Sequence, residues 1–307
     1  MHAFLRLMIF TAIAALASLA VCAKAPNGAE RVSEIMDFRD WNGPAIRVYL
    51  LRPENAGPDA PVVFVMHGVN RDADRYFAEW RPFAEKYGFI LVVPEFPVKK
   101  FPGAANYNLG GVLDARGAVT SRKGWAFSVI EPIFDEVVKR LHLTAGDYIL
   151  YGHSAGAQFA HRFAMFGAGE RARMVISANA GWYTFPGRGE WPYGPDRLPA
   201  GLLDQAMALG APLTILAGEA DADPMHPSLR RTPEANAQGA TRYERAIAFY
   251  NAGLDLAAET NANFHWSCIT APGVDHDDAK AAPYAVALIL FPSKPVAGPC
   301  RRGVAAE

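Results

Sequence analysis

The sequence predicts an α/β fold in which a mainly parallel central sheet is flanked by helices. Short apolar runs rich in β-branched residues, such as Val62–Met66 and residues 90–93, are typical of strands buried on both faces. Stretches with helical spacing separate these runs, beginning with residues 72–87, which Gly88 ends. Repeated alternation of strand and helix indicates βαβ units, and such units place their strands in parallel.

The remaining elements continue this alternation. Apolar runs predict strands at residues 45–51, 147–151, 175–178, 214–217 and 266–270, and helical spacing predicts helices at 125–143, directly after Ser154, at 233–260 and at 279–291. Residues 24–34 are polar and are expected to be loose. Residues 94–122 form a long connection rich in Gly, Asn and Pro, and connections of that length usually serve a function or are mobile.

The composition is that of an ordinary globular protein. Of the 307 residues, 51% are hydrophobic and 20% are charged, and the formal net charge is −1. No block of Lys or Arg forms a basic stripe, so a nucleic-acid partner is not expected.

The N-terminus has the pattern of a secretory signal. A basic Arg6 precedes an apolar run over residues 7–21, and small residues follow it, which predicts a signal peptide at residues 1–23 and one catalytic domain at 24–307. Two alternatives are an uncleaved anchor, for which a run of about 15 residues is short, and a lipoprotein modified at Cys22. We therefore expect a secreted or periplasmic protein without stable membrane insertion.

Two cysteines remain if Cys22 leaves with the signal. In an oxidising compartment an even pair favours a disulfide, so Cys268 and Cys300 are predicted to be bonded. The alternative is two unpaired thiols, one buried and one in the Pro-rich tail.

The candidate nucleophile is Ser154 in the pentapeptide Gly152-His153-Ser154-Ala155-Gly156. A predicted strand runs directly into this motif and a helix-compatible run follows it. Such a strand-to-helix reversal strains the backbone at the serine and presents its hydroxyl at the carboxyl edge of the sheet. The serine also lies at a helix N-terminus, where amide groups favour developing negative charge.

A serine hydroxyl needs a base to take its proton. His276 lies between the last predicted strand and the last predicted helix, at the same sheet edge as the serine, and is the preferred base. His226, in a Pro-rich loop, and His265, beside a predicted strand, are the alternatives.

The acid that orients this histidine should follow the next-to-last core strand. Asp221 stands three residues after the glycine that ends the strand, and it is the preferred acid. Asp223 also qualifies, although an Asp before Pro is a common turn former, and Glu219 is a more remote candidate.

An oxyanion hole needs two backbone donors. One is expected to be the amide of Ala155, directly after the nucleophile, and the other the amide of Val69, in the loop after an earlier strand. His67 precedes Gly68 in that loop and is interpreted as a loop-ordering residue rather than a base.

Together, Val65-Met66-His67-Gly68, the Ser154 pentapeptide, Gly218-Glu219-Ala220-Asp221 and Gly273-Val274-Asp275-His276 resemble the α/β-hydrolase superfamily. Residues 67–74 further resemble secreted polyhydroxybutyrate-depolymerase-like and feruloyl- or acetyl-xylan-esterase-like proteins. The resemblance implies an α/β-hydrolase fold and ester hydrolysis through an acyl-enzyme, on a small-molecule or oligomeric ester, without a metal or organic cofactor. No appended polymer-binding domain is expected, and activity on an insoluble polymer is therefore not expected either.

Residues 181–200 interrupt the pattern with aromatic residues among Gly and Pro, which predicts a short aromatic-rich insertion. Trp182 and Tyr183 are candidates to line an acyl or sugar pocket. The alternative is that these rings only pack the insertion onto the domain.

Two rival functions remain open. One is a peptidase or amidase that uses the same three residues, and the other is a non-catalytic binding protein on a hydrolase scaffold. The presence of Ser154, Asp221 and His276 argues against the second.

Overall fold

A computed structural model describes residues 31–291 and 298–300, so the predicted signal peptide at 1–23 lies outside the described residues. The strands in chain order are β1 (Val32–Phe38), β2 (Ile46–Arg52), β3 (Val62–Met66), β4 (Ile90–Glu95), β5 (Tyr148–His153), β6 (Ala172–Ala178), β7 (Leu213–Gly218), β8 (Ser267–Ala271) and β9 (Gly298–Pro299). The helices are α1 (Ala73–Tyr87), α2 (Ile130–Arg140), α3 (Ala155–Met165), α4 (Gln205–Leu209), α5 (Pro233–Asn236), α6 (Arg242–Thr260) and α7 (Asp278–Leu290).

The strands of the described ranges form one nine-stranded sheet in the order β1-β2-β4-β3-β5-β6-β7-β8-β9. The pairs from β4 to β8 are parallel, whereas β1, β2 and β9 pair antiparallel at the two ends. This confirms the predicted mainly parallel sheet flanked by helices. It also places the carboxyl ends of β3, β5, β6, β7 and β8 along one edge.

The parallel strands are buried because helices cover both faces of the sheet. Every residue of β3, β5 and β7 is buried. Alternate residues of β3 belong to two different cores: Phe64 packs with residues of α2, α3 and α6, and Val65 packs with residues of α1 and α7. A near-continuous apolar sequence is therefore what such a strand requires.

Three boundaries differ from the sequence predictions. Residues 32–34, expected to be loose, belong to β1; it pairs on one side only, so its polar residues alternate outward while Met36 and Phe38 are buried. The helix predicted at 125–143 opens with 3₁₀ turns before α2. The helix predicted at 233–260 is two helices, α5 and α6, separated at Gly239, whose φ of 145° is incompatible with a helix.

The predicted disulfide is present. Cys268 of β8 is bonded to Cys300, with 5.3 Å between the Cα atoms. The Cys300 amide also donates to the Cys268 carbonyl oxygen at 3.1 Å, which continues the pairing of β9 with β8. Among the described residues, no helix has the length and apolar character needed to cross a membrane.

Candidate active site

Ser154 lies in a tight reversal between β5 and α3. Its backbone has φ 56° and ψ −112°, a left-handed conformation that non-glycine residues rarely adopt. The two flanking glycines are required by packing, because a Cβ atom on Gly152 would overlap the carbonyl oxygen of Gly156. The reversal sets the serine at the N-terminus of α3, at the carboxyl edge of the sheet.

A continuous hydrogen-bond path links the three residues predicted for the site. The Ser154 Oγ lies 3.0 Å from the Nε2 of His276, and the His276 Nδ1 lies 2.8 Å from the Oδ2 of Asp221. The Asp221 side chain is 3% exposed and that of His276 is 11% exposed. Because a carboxylate only accepts, Nδ1 carries the imidazole proton and Nε2 is free to accept from the serine hydroxyl. We refer to Ser154, Asp221 and His276 as the sheet-edge site.

The alternative candidates occupy other positions. Asp223 accepts the amide of Met225 at 2.8 Å, as expected for a turn-forming aspartate, and Glu219 is exposed. His265 is exposed and bonds a backbone carbonyl oxygen. His226 does lie beside the site, with its ring 5.3 Å from the ring of the candidate base. Its Nδ1, however, faces Ser228 and Arg242, whereas the hydroxyl of Ser154 meets the Nε2 of His276.

Asn179 connects the loops that carry Asp221 and His276. Its Oδ1 accepts the amide of Gly218 at 2.8 Å, and its Nδ2 donates to the carbonyl oxygen of Asp275 at 2.7 Å. The preceding residue, Ala178, accepts the amide of Ser154 at 3.0 Å. The end of β6 therefore makes hydrogen bonds to Ser154 and to the loops that carry Asp221 and His276. Asn179 was not predicted from the sequence, although a polar residue directly after a buried strand is a recognisable signal.

The loop after β3 lies against Ser154. A Cβ atom on Gly68 would stand 3.8 Å from the Cβ of Ser154 and 2.9 Å from the Oη of Tyr76, so only glycine fits there without displacement. Val69 follows and is 59% exposed. Ala155 is the first residue of α3, and its amide has no carbonyl partner one turn earlier in the helix. These are the two amides predicted for the oxyanion hole.

His67 orders this loop, as the sequence interpretation expected. Its Nε2 accepts the amide of Phe96 at 3.0 Å, so its Nδ1 carries the proton and donates to the carbonyl oxygen of Gly68 at 3.1 Å. Tyr107 donates to the His67 carbonyl oxygen at 2.7 Å and stacks on its ring. Burial lowers the pKa of His67 to about 4, which keeps the ring neutral at neutral pH. Arg71 lies over the Tyr107 ring at 4.1 Å.

A second buried histidine, His153, packs against the ring of His276. The His153 ring centroid is 5.0 Å from that of His276, and its Nδ1 is 2.9 Å from the Oη of Tyr76. Burial, followed by the neighbouring His276, lowers the pKa of His153 well below its ordinary value. A neutral ring at this position adds no cation next to the candidate base.

The aromatic insertion turns its rings inward. Tyr183 is fully buried and stacks on Phe249 of α6 with 4.4 Å between ring centroids. Trp182 is 3% exposed, and the guanidinium groups of Arg162 and Arg230 lie over its ring at 4.3 and 4.9 Å. Of the two sequence interpretations, packing of the insertion onto the domain fits this burial better than an open substrate pocket.

The long connection between β4 and α2 packs against the helix that follows the nucleophile. Asn108 donates from Nδ2 to the Oε1 of Gln158 at 3.1 Å, one turn after Ser154. A cavity of about 270 Å³ lies between this connection and the insertion. Its lining is formed by Ala105, Leu109, Leu113, Asp114, Ala115, Gly117 and Trp191. None of these residues belongs to the sheet-edge site.

Comparisons with known proteins agree with this architecture. A poly(aspartic acid) hydrolase-1 from Sphingomonas sp. KT-1 superposes with a TM-score of 0.80 and is 38% identical, over 84% of this chain and 98% of the other. A poly(3-hydroxybutyrate) depolymerase, LpqC, from Bordetella parapertussis superposes with a TM-score of 0.77 and is 31% identical, over 87% and 92% of the two chains. The chain therefore belongs to the α/β-hydrolase superfamily and is a hydrolase.

A curated sequence relative is more distant. A bifunctional acetylxylan esterase/xylanase from Neocallimastix patriciarum is 22% identical over 129 residues, which are 41% of this chain and 17% of that enzyme. The match thus spans less than a fifth of the curated relative. No protein-family model matches the chain.

Within the described ranges, no group of three or more His, Cys, Asp or Glu side chains is arranged to hold a metal ion. Asp277 and Asp278 lie at the start of α7, and Asp278 accepts a hydrogen bond from the Tyr151 hydroxyl at 2.6 Å. Asp277 is the N-cap of α7 and accepts the amide of Ala279 at 3.0 Å.

Proposed function

We propose that the chain is an exported serine hydrolase that cleaves carboxylic esters through an acyl-enzyme. Ser154 is the nucleophile, His276 the general base and Asp221 the acid that orients it. The observation that carries this proposal is the unbroken path of two hydrogen bonds, 3.0 and 2.8 Å long, from the serine hydroxyl through the imidazole to a buried carboxylate.

In the first half of the reaction, the Ser154 oxygen attacks the ester carbonyl carbon while its proton passes to the Nε2 of His276. The Asp221 carboxylate stabilises the resulting imidazolium through the Nδ1–H hydrogen bond. Collapse of the tetrahedral intermediate breaks the bond to the alcohol, which leaves with the proton held on Nε2. The acyl group then remains on the serine.

The amides of Val69 and Ala155 would stabilise the oxyanion of this intermediate. The first belongs to the loop after β3 and the second to the first turn of α3, and donors fixed in the folded state need no reorganisation when charge develops. The N-terminus of α3 adds a favourable dipole at the same point.

In the second half, water replaces the alcohol. His276 takes a proton from the water as its oxygen attacks the acyl carbon, and the same proton returns to the serine oxygen when the acyl bond breaks. The products are one carboxylic acid and one alcohol, and the enzyme regains its starting protonation state.

The relatives favour a chain-like substrate. Two proteins above 30% identity act on poly(aspartic acid) and on poly(3-hydroxybutyrate), which suggests an oligomer of short carboxylic-acid units. Substrate contact by Trp182 and Tyr183 stays a proposal, which the burial of both rings does not favour.

An amidase is the second candidate, and one observation favours it. Poly(aspartic acid) is joined by amide bonds, and the hydrolase that carries its name is 38% identical to this chain. The same three residues serve either bond, so the distinction depends on how well the departing nitrogen is protonated.

Export is part of the proposal. It is supported by the signal-like pattern at residues 1–23 and by the Cys268–Cys300 disulfide, since such bonds persist in oxidising compartments.

The test is turnover of p-nitrophenyl acetate and butyrate by the wild type and by Ser154→Ala, together with labelling by a fluorophosphonate probe. We expect Ser154→Ala to lower kcat by at least about 10⁴-fold and to abolish labelling. The matched control is Ser128→Ala, because Ser128 is a partly buried serine in the 3₁₀ turn before α2, outside the sheet-edge site, and its hydroxyl donates to the Arg122 carbonyl oxygen.

A wild type that neither turns over these esters nor takes the label would contradict the proposal and favour a binding protein. A panel of hydroxybutyrate oligomers, feruloyl esters and aspartate oligomers, with matched p-nitroanilides, then separates an esterase from an amidase. Faster hydrolysis of the amides at equal active-site concentration would favour the second candidate.

A further inference from the structure

Arg242 makes a buried ion pair with the candidate acid. It is the first residue of α6, and its Nη1 donates to the Oδ1 of Asp221 at 3.1 Å. The two side chains are 2% and 3% exposed. The other oxygen of the same carboxylate accepts from His276 at 2.8 Å. Each carboxylate oxygen therefore has its own charged or polar partner, and this fixes the plane of the carboxylate.

The backbone of α6 holds the same residue. The amide of Tyr243 donates to the carbonyl oxygen of Asp221 at 3.2 Å. Amides in the first turn of a helix lack an internal acceptor, so this bond satisfies one of them. The first two residues of α6 thus bond both the side chain and the main chain of Asp221.

The guanidinium reaches a second loop as well. Its Nη2 donates to the Oγ of Ser228 at 2.8 Å and lies 3.4 Å from the Nδ1 of His226. The ring of His226 in turn lies 5.3 Å from the ring of His276. Arg242 therefore joins the acid to the residues on the outer side of the base.

We propose that Arg242 is a positioning residue of the sheet-edge site, which fixes the Asp221 carboxylate so that one of its oxygens is held toward His276. This inference rests on the function proposed above and adds to it. A buried carboxylate without a cation is costly and tends to take up a proton, and a protonated Asp221 would no longer favour the reactive tautomer of the imidazole.

Removal of the same cation should also change the pH dependence of the reaction. A positive charge opposes the development of a second positive charge close to it, so Arg242→Met should lose activity at a higher pH than the wild type does when the pH is lowered. Other charged or titratable groups also surround the base. They are His153 on β5, Tyr76 and Arg75 on α1, His226 and Asp223 on the loop after β7, and Asp275, Asp277, Asp278 and Lys280 around the start of α7. These groups are unchanged in the variants below.

The test compares Arg242→Met with Arg245→Met. Arg245 lies one turn further along α6, is equally buried, and donates to the backbone oxygens of Gly181 and Gly239. Both variants should lower Tm, because each loses buried hydrogen bonds. Only Arg242→Met should lower kcat, by about 10-fold or more at little change in KM, with active sites counted by fluorophosphonate labelling.

The pH profile of kcat/KM separates positioning from simple stabilisation. We expect its acid limb to move to higher pH by about half a unit or more in Arg242→Met, and to stay in place in Arg245→Met. Arg242→Lys, which retains a cation, should restore most of the wild-type limb. Arg242→Gln should shift the limb like the methionine variant, and it decides the question if the methionine variant does not fold.

Per-site kcat within twofold of wild type and an unmoved acid limb, in Arg242→Met or Arg242→Gln, would overturn the inference. Such a result leaves the proposed function intact, because that depends on loss of labelling and turnover in Ser154→Ala. Failure of the wild type to label or turn over is the outcome that removes the proposed function itself.

Discussion

The sheet-edge site and the aromatic insertion lie next to each other, but they are held in different ways. The site is built from short hydrogen bonds between strand ends, with Asn179 joining the loops of the acid and the base. The insertion is held by ring packing, as in the stack of Tyr183 on Phe249, and by His161 of α3, whose Nε2 accepts the amide of Thr184 at 3.2 Å.

The two regions therefore differ in how accurately their atoms are positioned and in how much apolar area they bury. Hydrogen bonds at strand ends fix atoms to within tenths of an ångström, which a proton-transfer path requires. Ring stacking tolerates small shifts and contributes mainly buried area. Substitutions at the site should therefore change rates, whereas substitutions under the insertion should change stability first.

The largest expected effect comes from the choice of acid. We expect Asp221→Asn to lower kcat by about 10⁴-fold, because an amide favours the unreactive tautomer of the imidazole. Asp223→Asn should stay within about threefold of wild type, since Asp223 serves a turn. The measurement is kcat with p-nitrophenyl butyrate, and the reverse order of effects would reassign the acid.

A smaller loss should follow from removing the link between the two loops. Asn179 has a φ of 52°, which glycine adopts without strain. Asn179→Gly therefore preserves the backbone conformation and removes both side-chain hydrogen bonds. We expect kcat to fall by about 10- to 100-fold, as is typical when supporting groups are lost. Asn261→Gly is the matched control, because Asn261 has the same φ at the exposed end of α6. Equal kcat in the two variants would show that the link does not matter for catalysis.

The smallest effect on rate, and a clear effect on stability, is expected at the insertion when the pH is lowered. Burial lowers the pKa of His161 well below its ordinary value, so the folded state keeps this ring neutral while the unfolded chain takes up a proton below about pH 6.5. The unfolded state then binds more protons, and the free energy of unfolding falls as the pH falls. One such group changes it by up to about 1.4 kcal/mol per pH unit.

Urea unfolding at pH 8, 6.5 and 5 measures this dependence. His161→Phe should be less stable at pH 8, because the Thr184 amide loses its acceptor, but should show a shallower decline toward pH 5. His142→Gln, at an exposed position, should keep the wild-type decline. An unchanged slope in His161→Phe would argue that this ring is not a source of acid sensitivity.

Much of the site was predictable because its residues follow a local rule. Ser154, Asp221 and His276 each come shortly after a buried strand, and parallel strands bring their carboxyl ends to one edge. The identity of the strands follows from apolar runs alone. The hydrogen-bond path between the three residues depends on the order of the strands in the sheet. The alternation of strands and helices in the sequence already indicates a parallel sheet.

Other features depend on contacts that no local pattern encodes. Arg242 and Asp221 are 21 residues apart, and their pairing depends on where α6 starts relative to β7. The edge strand β1 was missed because half of its residues face solvent. For the insertion, an aromatic residue faces a substrate or the interior according to the packing of neighbouring helices, so the burial of Trp182 and Tyr183 was not decided by sequence.

The backbone at Ser154 has a consequence for the protein's resistance to unfolding. A non-glycine residue held in so unfavourable a conformation raises the energy of the folded state by about 1–3 kcal/mol. Ser154→Gly would release that energy while it removes the proposed nucleophile, so this variant should have a higher Tm than the wild type. The free energy of unfolding is thus lower than it would be with a relaxed backbone, and the strained backbone directs the hydroxyl group out of the sheet.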